Sequence, residues 1–393
     1  MSRTRRITQL GFLVVVLASV FLLRSHAERW CPFGGIEGLY AFVRTGSLPC
    51  SLHVSNLFIL GGVLLSVLLL RRAFCSHACP IGAISEWTRR AAARAGLRAR
   101  RVPPRLDRAL SLLPFAVLTV VLYFTYRIGE LVFRGFDPCY ALISRHGEDI
   151  TIWAYIVGAG LVAGATVVSL PFCRWLCPLA AVFHPFSRVA PLAVRREAAG
   201  CNDCGTCSAA CPMEIPVHDR ETVYDAHCTA CLECVARCPR RERGALRWGP
   251  GGRQARAWPQ PALIGLLIVC IAGAAAAAEI FPRASFIETR GTSSGSTSAL
   301  DLRVSGLDCH GRATLLAALL NRDDLYAVSG YLKIEVWPAP DGGRARLTYD
   351  PALTNPDALR SAIIEPYYDA GADRWRTSPF EIEGRPLFDG TLR

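Results

Sequence analysis

The chain has 393 residues, of which 51% are hydrophobic, and it carries a formal net charge of +12. That hydrophobic share is high for a soluble protein. No DNA- or RNA-binding motif accompanies the basic charge, so we expect no nucleic-acid partner.

Five apolar runs, each near the roughly 20 residues that a bilayer requires, predict membrane-spanning helices. They cover residues 7–23, 54–70, 109–126, 150–170 and 261–278. Arginines are concentrated before the first run and between the second and third, whereas the loops after the first and third runs hold few. The positive-inside rule therefore predicts a multi-pass protein of the bacterial inner membrane, with its N-terminus in the cytoplasm and its C-terminal part in the periplasm.

The two predicted outer loops contain cysteines and acidic residues. Cys31 and Cys50 lie in the first loop, and Cys139 lies at the comparable place in the second. The oxidising compartment favours a Cys31–Cys50 disulfide, and a redox-active thiol relay is the alternative. Glu37 and Asp137, in the same loops, are candidates for proton transfer at a quinol site.

A repeated motif follows the second and the fourth apolar runs. Its two copies are Phe74-Cys75-Ser-His-Ala-Cys79-Pro80 and Phe172-Cys173-Arg-Trp-Leu-Cys177-Pro178, which indicates a duplicated two-helix unit. Proline favours the first position of a helix, so Cys79 and Cys177 should be N-caps, where the helix dipole stabilises a thiolate. Cys75, Cys79, Cys173 and Cys177 either hold an iron–sulfur cluster of their own, form two dithiol pairs, or are buried structural cysteines.

The most specific pattern lies after residue 195. Cys201-x2-Cys204-x2-Cys207-x3-Cys211-Pro212 is followed by Cys228-x2-Cys231-x2-Cys234-x3-Cys238-Pro239. This is the spacing of a bacterial ferredoxin with two [4Fe–4S] clusters, in which the last cysteine of each run ligates the other cluster. Cys201, Cys204, Cys207 and Cys238 should hold one cluster, and Cys228, Cys231, Cys234 and Cys211 the other. If the four repeat-motif cysteines hold a further cluster, it is the third.

Other redox cofactors are not expected. A haem within a helical bundle needs axial His or Met ligands, and all eight histidines and both methionines lie outside the cores of the predicted spans. Residues 163–169 loosely resemble a covalent-flavin motif, but small residues inside a span serve helix packing. We therefore predict neither haem nor flavin.

The C-terminal part follows a Ser/Gly/Thr-rich linker at residues 289–298. Its pattern predicts strands at 302–304, 332–336 and 345–349 and helices at 312–320 and 355–364, an α+β ferredoxin-like βαββαβ domain. Val304-Ser-Gly306-Leu-Asp-Cys309 and Leu347-Thr-Tyr349-Asp350-Pro351 resemble the heavy-metal-associated domain family over about residues 302–368. Such domains bind soft metals through Cys-x2-Cys, but Arg312 occupies the second position. Cys309, with His310 beside it, is thus a weak metal site, and a docking domain without metal is favoured.

Residues 1–280 resemble the membrane polyferredoxins that accompany periplasmic nitrate and nitrous-oxide reductases, and a related oxidase-assembly protein. The paired Cys-x3-Cys-Pro motifs and the double cysteine run carry this resemblance. It implies a membrane-bound electron-transfer component, rather than a stand-alone enzyme, that serves redox partner proteins and draws on quinol. The alternative is an assembly or metal-handling factor whose clusters reduce copper or thiols while a periplasmic or membrane metalloenzyme matures.

The predicted architecture is thus an α-helical membrane bundle of about five helices with an inserted two-cluster ferredoxin module and a C-terminal α+β domain. The predicted domains are a duplicated four-helix bundle at 1–194, a cytoplasmic ferredoxin domain at 195–258, a fifth spanning helix at 259–280, a linker at 281–300 and a periplasmic domain at 301–393.

Overall fold

The computed structural model describes residues 3–22, 31–45, 55–128, 132–143, 150–250, 257–281, 284, 286–291, 295–307, 310–339, 342–369 and 374–383. Cys50 and Cys309 lie outside the described residues, as does part of the predicted linker. The chain divides into two compact units, which are described separately. The first contains residues 1–37 and 55–280, and the second contains residues 38–54 and 281–393.

Apolar helices occupy all five predicted positions. Their bounds are α1 Arg3–Phe21, α3 Ser55–Leu70, α7 Leu113–Ile128, α9 Ile152–Val167 and α14 Gln260–Ile280. In the described part of the chain, three stretches are long and apolar enough to cross a membrane, namely Thr4–Phe21, Pro104–Arg127 and Gln260–Ile280. The second of these joins α7 to the preceding α6 (Pro104–Leu110). Helices α3 and α9 have 16 residues each, about 24 Å of helix.

Both short apolar helices lead into the repeated motif. Each is followed by a one-turn helix, α4 (Ala73–His77) or α10 (Pro171–Trp175), and then by a longer one, α5 (Pro80–Arg94) or α11 (Pro178–Val189). The helix predicted at 150–170 ends early, at Val167, because Val168 is already extended, with φ −118° and ψ 143°. Leu170, before Pro171, has a positive φ of 51°, and a residue before proline avoids the right-handed helical region. Cys79 and Cys177 are N-caps with proline following, as predicted, although neither thiol makes a capping hydrogen bond.

Further helices lie in the loops between the apolar helices. They are α2 (Pro32–Thr45), which begins directly after Cys31, and α8 (Pro138–Ile143), which contains Cys139.

A two-stranded antiparallel sheet brackets the two cysteine runs. Strand β1 (Leu192–Arg196) pairs with β2 (Leu246–Pro250), with Leu192 opposite Pro250. One-turn helices α12 (Thr206–Ala209) and α13 (Glu233–Ala236) carry the third cysteine of each run. Val194, Leu246 and Trp248 form a core that continues into buried residues of α3 and α14. The module is therefore packed onto the ends of the apolar helices.

The second unit contains a five-stranded antiparallel sheet in the order β3-β5-β6-β4-β9. Its elements are β3 Phe286–Thr289, β4 Ser298–Ser305, α15 His310–Leu320, β5 Tyr331–Trp337, β6 Gly343–Tyr349, α16 Pro356–Ile364 and β9 Glu381–Ile382. A separate two-stranded sheet, β7 (Tyr367–Asp369) with β8 (Arg374–Arg376), follows α16. Each predicted strand and helix of this part coincides with an observed one and extends beyond it by at most one residue. The prediction succeeds because apolar residues recur along these segments and build one shared core.

Candidate iron–sulfur centre

Four ferredoxin cysteines line one cavity of the module. They are Cys211, from the first run, and Cys228, Cys231 and Cys234, from the second. The cavity has a volume of about 20 Å³, and its remaining walls are largely apolar, including Met213, Ile215 and Leu232. This is the set of cysteines that the spacing assigns to one cluster, with one ligand from the other run.

The backbone of the second run is shaped for an anionic group. Ala230 and Leu232, on either side of Cys231, have positive φ values of 46° and 58°. Alternating right- and left-handed residues direct successive N–H groups into a concavity that binds anions, including iron–sulfur clusters. Thr229 also lines the cavity, and its buried hydroxyl has no hydrogen-bond partner among the described residues. The donor set, the apolar walls and this orphaned hydroxyl fit a thiolate-ligated cluster.

The first cysteine run lies closer to solvent. Cys204 is exposed, Cys201 is partly buried and Cys207 is buried. Asp203 and Gly205 have positive φ values of 51° and 67°, which turn this loop tightly. Cys238, assigned to the same cluster, packs against the core that contains Cys207. In the described part of the chain, no group of three or more His, Cys, Asp or Glu side chains is placed to hold a metal ion.

The second cysteine run also touches the first repeat motif. The Arg72 N–H donates to the carbonyl of Cys228 at 3.2 Å, and the Ser76 hydroxyl donates to the carbonyl of Thr229 at 2.7 Å. Arg71 donates to the carbonyls of Ser187 (2.8 Å) and Leu192 (3.0 Å), at the entrance to the module. The module is thus held to the Cys-x3-Cys-Pro segment by hydrogen bonds from backbone and side-chain donors to backbone carbonyls.

A buried arginine adds the start of α1 to this junction. Arg5 is 1% exposed, and its Nε donates to the carbonyl of Ser76 at 3.1 Å. It pairs with Glu86 of α5, and its Nη1 lies 3.6 Å from a carboxylate oxygen of Glu233 in the module. Gln9 donates to the carbonyl of Ser76 at 2.9 Å. The sequence did not single out Arg5 as a site residue. Only the fold shows that this N-terminal arginine is buried beside Glu86 and Glu233, which are distant in the chain.

The four repeat-motif cysteines divide between different surroundings. Cys79 and Cys177 pack against Ile81, Leu161 and Phe172. Cys75 packs with Phe183 and neighbouring residues of α3, whereas Cys173 belongs to the core shared with the ferredoxin module. The charges of these cysteines nevertheless act on one another, so all four lie in one region of the fold.

Described residues from the two predicted outer loops, namely Cys31, Glu37, Asp137 and Cys139, belong to the first unit. Cys139 packs in the same apolar cluster as Cys79 and Cys177. Cys31 forms no disulfide with any described residue, and its predicted partner Cys50 is outside them. Glu37 is buried and accepts a hydrogen bond from the Thr125 hydroxyl at 2.9 Å. Asp137 is 8% exposed and accepts the Cys139 N–H at 2.9 Å.

Comparison with known proteins adds family evidence to this geometry. A model described as "4Fe-4S binding domain" matches residues 52–103 and again 150–197, and a "4Fe-4S dicluster domain" model matches 193–239. The first model thus matches both copies of the repeat, and the second covers the double cysteine run. These matches make the chain similar to membrane polyferredoxin-like proteins that bind 4Fe-4S clusters.

Several known proteins are similar to this chain over about half of its length. "Putative electron transport protein YccM" of Escherichia coli is 30% identical over 54% of this chain and 61% of its own length. "Uncharacterized protein MJ0750" of Methanocaldococcus jannaschii is 27% identical over 60% of this chain and 91% of its own. "Ferredoxin-type protein NapH" of E. coli is 26% identical over 49% of this chain and 68% of its own. The chain therefore spans about three fifths of YccM, and no solved structure matches it.

Proposed function

We propose that this protein is a membrane-bound electron-transfer protein whose module holds two [4Fe–4S] clusters. Cys201, Cys204, Cys207 and Cys238 hold the first, and Cys228, Cys231, Cys234 and Cys211 hold the second. Electrons pass through both clusters to or from a membrane or periplasmic redox system. The observation that carries the proposal is the cavity shared by Cys211 and the second run.

The order of the clusters follows from exposure and contacts. Cys204 is exposed, which suits exchange between the first cluster and a soluble redox partner. The second run contacts Arg72 and Ser76 beside the repeat-motif cysteines. The second cluster is thus the one nearer the membrane-embedded cysteines. Bound by these cysteines, the two clusters would supply one-electron transfer between them, and the cysteines would hold them in place.

The contacts of the module also support the proposed topology. The start of α1 contacts the module through Arg5, and the end of α3 does so through Arg72. Arg174, after α9, pairs with Glu214 of the module at 3.0 Å and with Asp107, before α7, at 2.6 Å. The Trp258 N–H, before α14, donates to the carbonyl of Trp248 at 2.7 Å. The five helices thus turn alternate ends toward the module. Five crossings of an inner membrane would require this alternation. The concentration of arginines on that side predicts a cytoplasmic module.

For the second unit we propose a ferredoxin-like domain on the periplasmic side that serves as a docking domain. Strands β5, β6, β4 and β9 are antiparallel neighbours, and α15 and α16 lie between them in sequence. This is the strand–helix–strand–strand–helix–strand order of that fold. Arg312 cannot ligate a metal, so we propose docking rather than metal transfer.

Iron analysis and low-temperature EPR of the full chain, purified without oxygen, test the electron-transfer proposal. The module should contribute about eight iron atoms per chain and two interacting [4Fe–4S] signals after reduction. Cys228→Ser and Cys204→Ser should each perturb one cluster, while Cys270→Ser, in α14, should retain both. Near-zero iron, or stoichiometric zinc, contradicts the proposal.

A further inference from the structure

The five-stranded sheet of the second unit has a covered face and an open face. Val304, Ile334 and Leu347 are fully buried on the covered face, where they share one core with α15 and α16. Successive side chains of a strand point to opposite faces, so the neighbours of these residues in sequence lie on the open face. Arg303 and Arg344 lie there, and both are exposed.

Strand register places the residues of the open face in rows that cross β5, β6 and β4. In one row, Glu335, Arg346 and Asp301 lie side by side. Arg346 donates two hydrogen bonds to the Asp301 carboxylate, at 2.7 Å and 3.1 Å. An arginine between two acids leaves this row without excess positive charge.

The next row along the same three strands is not balanced. It contains Trp337, Arg344 and Arg303. In the described part of the chain no ion pair joins Arg344 to an acid. Arg303 lies 3.9 Å from Glu383, and these two side chains are 67% and 73% exposed. Like charges directly opposite one another on neighbouring strands destabilise a sheet, so the free domain carries a cost that a bound anion would offset.

The excess positive charge is local to this face. Residues 281–393 contain 13 Lys or Arg and 15 Asp or Glu, so this part of the chain is slightly acidic as a whole. The two rows border a groove of about 490 Å³, a volume in the range of ligand-binding clefts. We call it the arginine groove, and its lining residues are Asp301, Leu302, Arg303, Trp337, Arg344 and Arg346.

The chemistry of the arginine groove favours carboxylates on a protein. Arginine and tryptophan side chains offer hydrogen-bond donors and no acceptor, and a guanidinium group binds a carboxylate through two parallel hydrogen bonds. Tryptophan and arginine are also the residue types that contribute most to binding at protein interfaces. A uniformly anionic surface such as a lipid bilayer would also meet Asp301 and Glu335, whereas a protein can place its carboxylates opposite Arg303 and Arg344 alone.

We propose that the arginine groove is the docking surface of the second unit and that it receives an acidic segment of a partner protein. Carboxylates of that segment bind Arg303 and Arg344, and an apolar side chain packs against Trp337. This proposal rests on the docking function proposed above for the second unit, and it adds the position of the surface and the chemistry of the partner.

Fluorescence anisotropy of the solubilised full chain tests the groove, with a short fluorescein-labelled peptide of glutamate and leucine as the probe. Arg303→Gln and Arg344→Gln should each raise the Kd about tenfold, because each removes a charge-assisted pair with a carboxylate. Neither should lower the melting temperature, since each removes a repulsion between like charges. Arg360→Gln is the matched control. It removes the same charge from α16, on the covered face, and should leave the Kd unchanged.

Three outcomes would overturn the arginine groove. The first is an equal Kd for the wild-type chain and for Arg303→Gln and Arg344→Gln. The second is an equal weakening by Arg360→Gln, which would show attraction to overall charge. The third is complete displacement of the peptide by inorganic phosphate at constant ionic strength, which would indicate a site for small anions.

A chain that ends at Ile280 distinguishes failure of the groove from failure of the docking function. Its ferredoxin EPR signals report whether the first unit is folded. If it binds the peptide as tightly as the full chain, the docking function and the groove fail together. If it loses binding that Arg303→Gln and Arg344→Gln both keep, only the groove fails.

Discussion

Thr229 lies in the chain between Cys228 and Cys231, two proposed ligands of the second ferredoxin cluster. Its hydroxyl is buried without a hydrogen-bond partner in the described part of the chain, and it lines the cavity of the four cysteines. A buried polar group without a partner is costly, so this hydroxyl is suited to donate to a sulfur of the bound cluster.

Thr229→Val tests that role at nearly constant volume. A hydrogen bond to a cluster sulfur stabilises the more negative, reduced state. The substitution should therefore lower the reduction potential of the second cluster in an EPR-monitored redox titration, and leave the first unchanged. Thr222→Val, at a position that does not line the cavity, serves as the control and should move neither potential.

Asp225, three residues before Cys228, is expected to make the stability of the module depend on pH in acid. Burial by itself raises the pKa of Asp225, but hydrogen bonds from His227 and the charge of Arg220 outweigh burial. The net pKa lies well below the usual value of 3.8. Because the folded pKa is depressed, its stabilising effect is complete above the unfolded pKa and is lost as pH falls from about 4 through the folded pKa.

Asp225→Asn should flatten this response. The wild-type chain should lose its visible cluster absorbance faster as pH falls below about 4, and the variant should show a smaller increase in rate over the same interval. At neutral pH the variant should be the less stable of the two. Equal pH dependence of the two rates would show that Asp225 does not set the acid response.

At the scale of elements, the turn from α4 into α5 depends on close backbone packing. A Cβ at Gly82 would clash with the backbone carbonyl oxygen of Cys75, which cannot swing aside as a flexible side chain would. The second copy of the motif has Ala180 at the equivalent place. The two copies are therefore not equivalent in packing, although their cysteine spacing is the same.

Gly82→Ala should separate α4 from α5 and disturb the neighbouring cysteines. Forcing an extra carbon into a well-packed site costs about 1–3 kcal/mol, so the melting temperature of the solubilised chain should fall. Gly61→Ala in α3 is the matched control, since its Cβ would meet nothing within 4 Å and alanine favours helix. If the Gly82→Ala variant melted at as high a temperature as the Gly61→Ala variant, the expected clash at Gly82 would be contradicted.

At the scale of the whole molecule, the C-terminal part has a core of its own. Its buried apolar residues all come from Phe286 to Ile382, including Leu316, Ile334 and Leu347. A fragment of residues 281–393 should therefore fold alone and unfold cooperatively in urea. Leu316→Ala, at a residue with 0% exposure, should reduce its free energy of unfolding by about 2–5 kcal/mol.

The control for this fragment is Leu325→Ala, at a leucine that is 87% exposed. It should leave the free energy of unfolding almost unchanged, because little apolar surface is buried there. A broad, non-cooperative transition in the unsubstituted fragment would show that this core needs the rest of the chain.

The sequence by itself determined the positions of the apolar helices, the N-cap positions of Cys79 and Cys177 and the iron–sulfur family. These follow from local rules: the length of apolar runs, the preference of proline for the first turn, and the spacing of cysteines around a cluster. The ligand sets stay predictions. Cys211 lies in one cavity with the cysteines of the second run, and the spacing requires this arrangement.

Only the tertiary structure decided which distant groups meet. Spacing alone grouped Cys79 and Cys177 with Cys75 and Cys173. The fold packs the first two in one apolar cluster with Cys139, Cys75 beside α3, and Cys173 in the core shared with the ferredoxin module. It also buries Arg5 against Glu86 and Glu233, which are 81 or more positions away. Such neighbours depend on how helices cross, and that is set by side-chain packing over the whole bundle rather than by any local pattern.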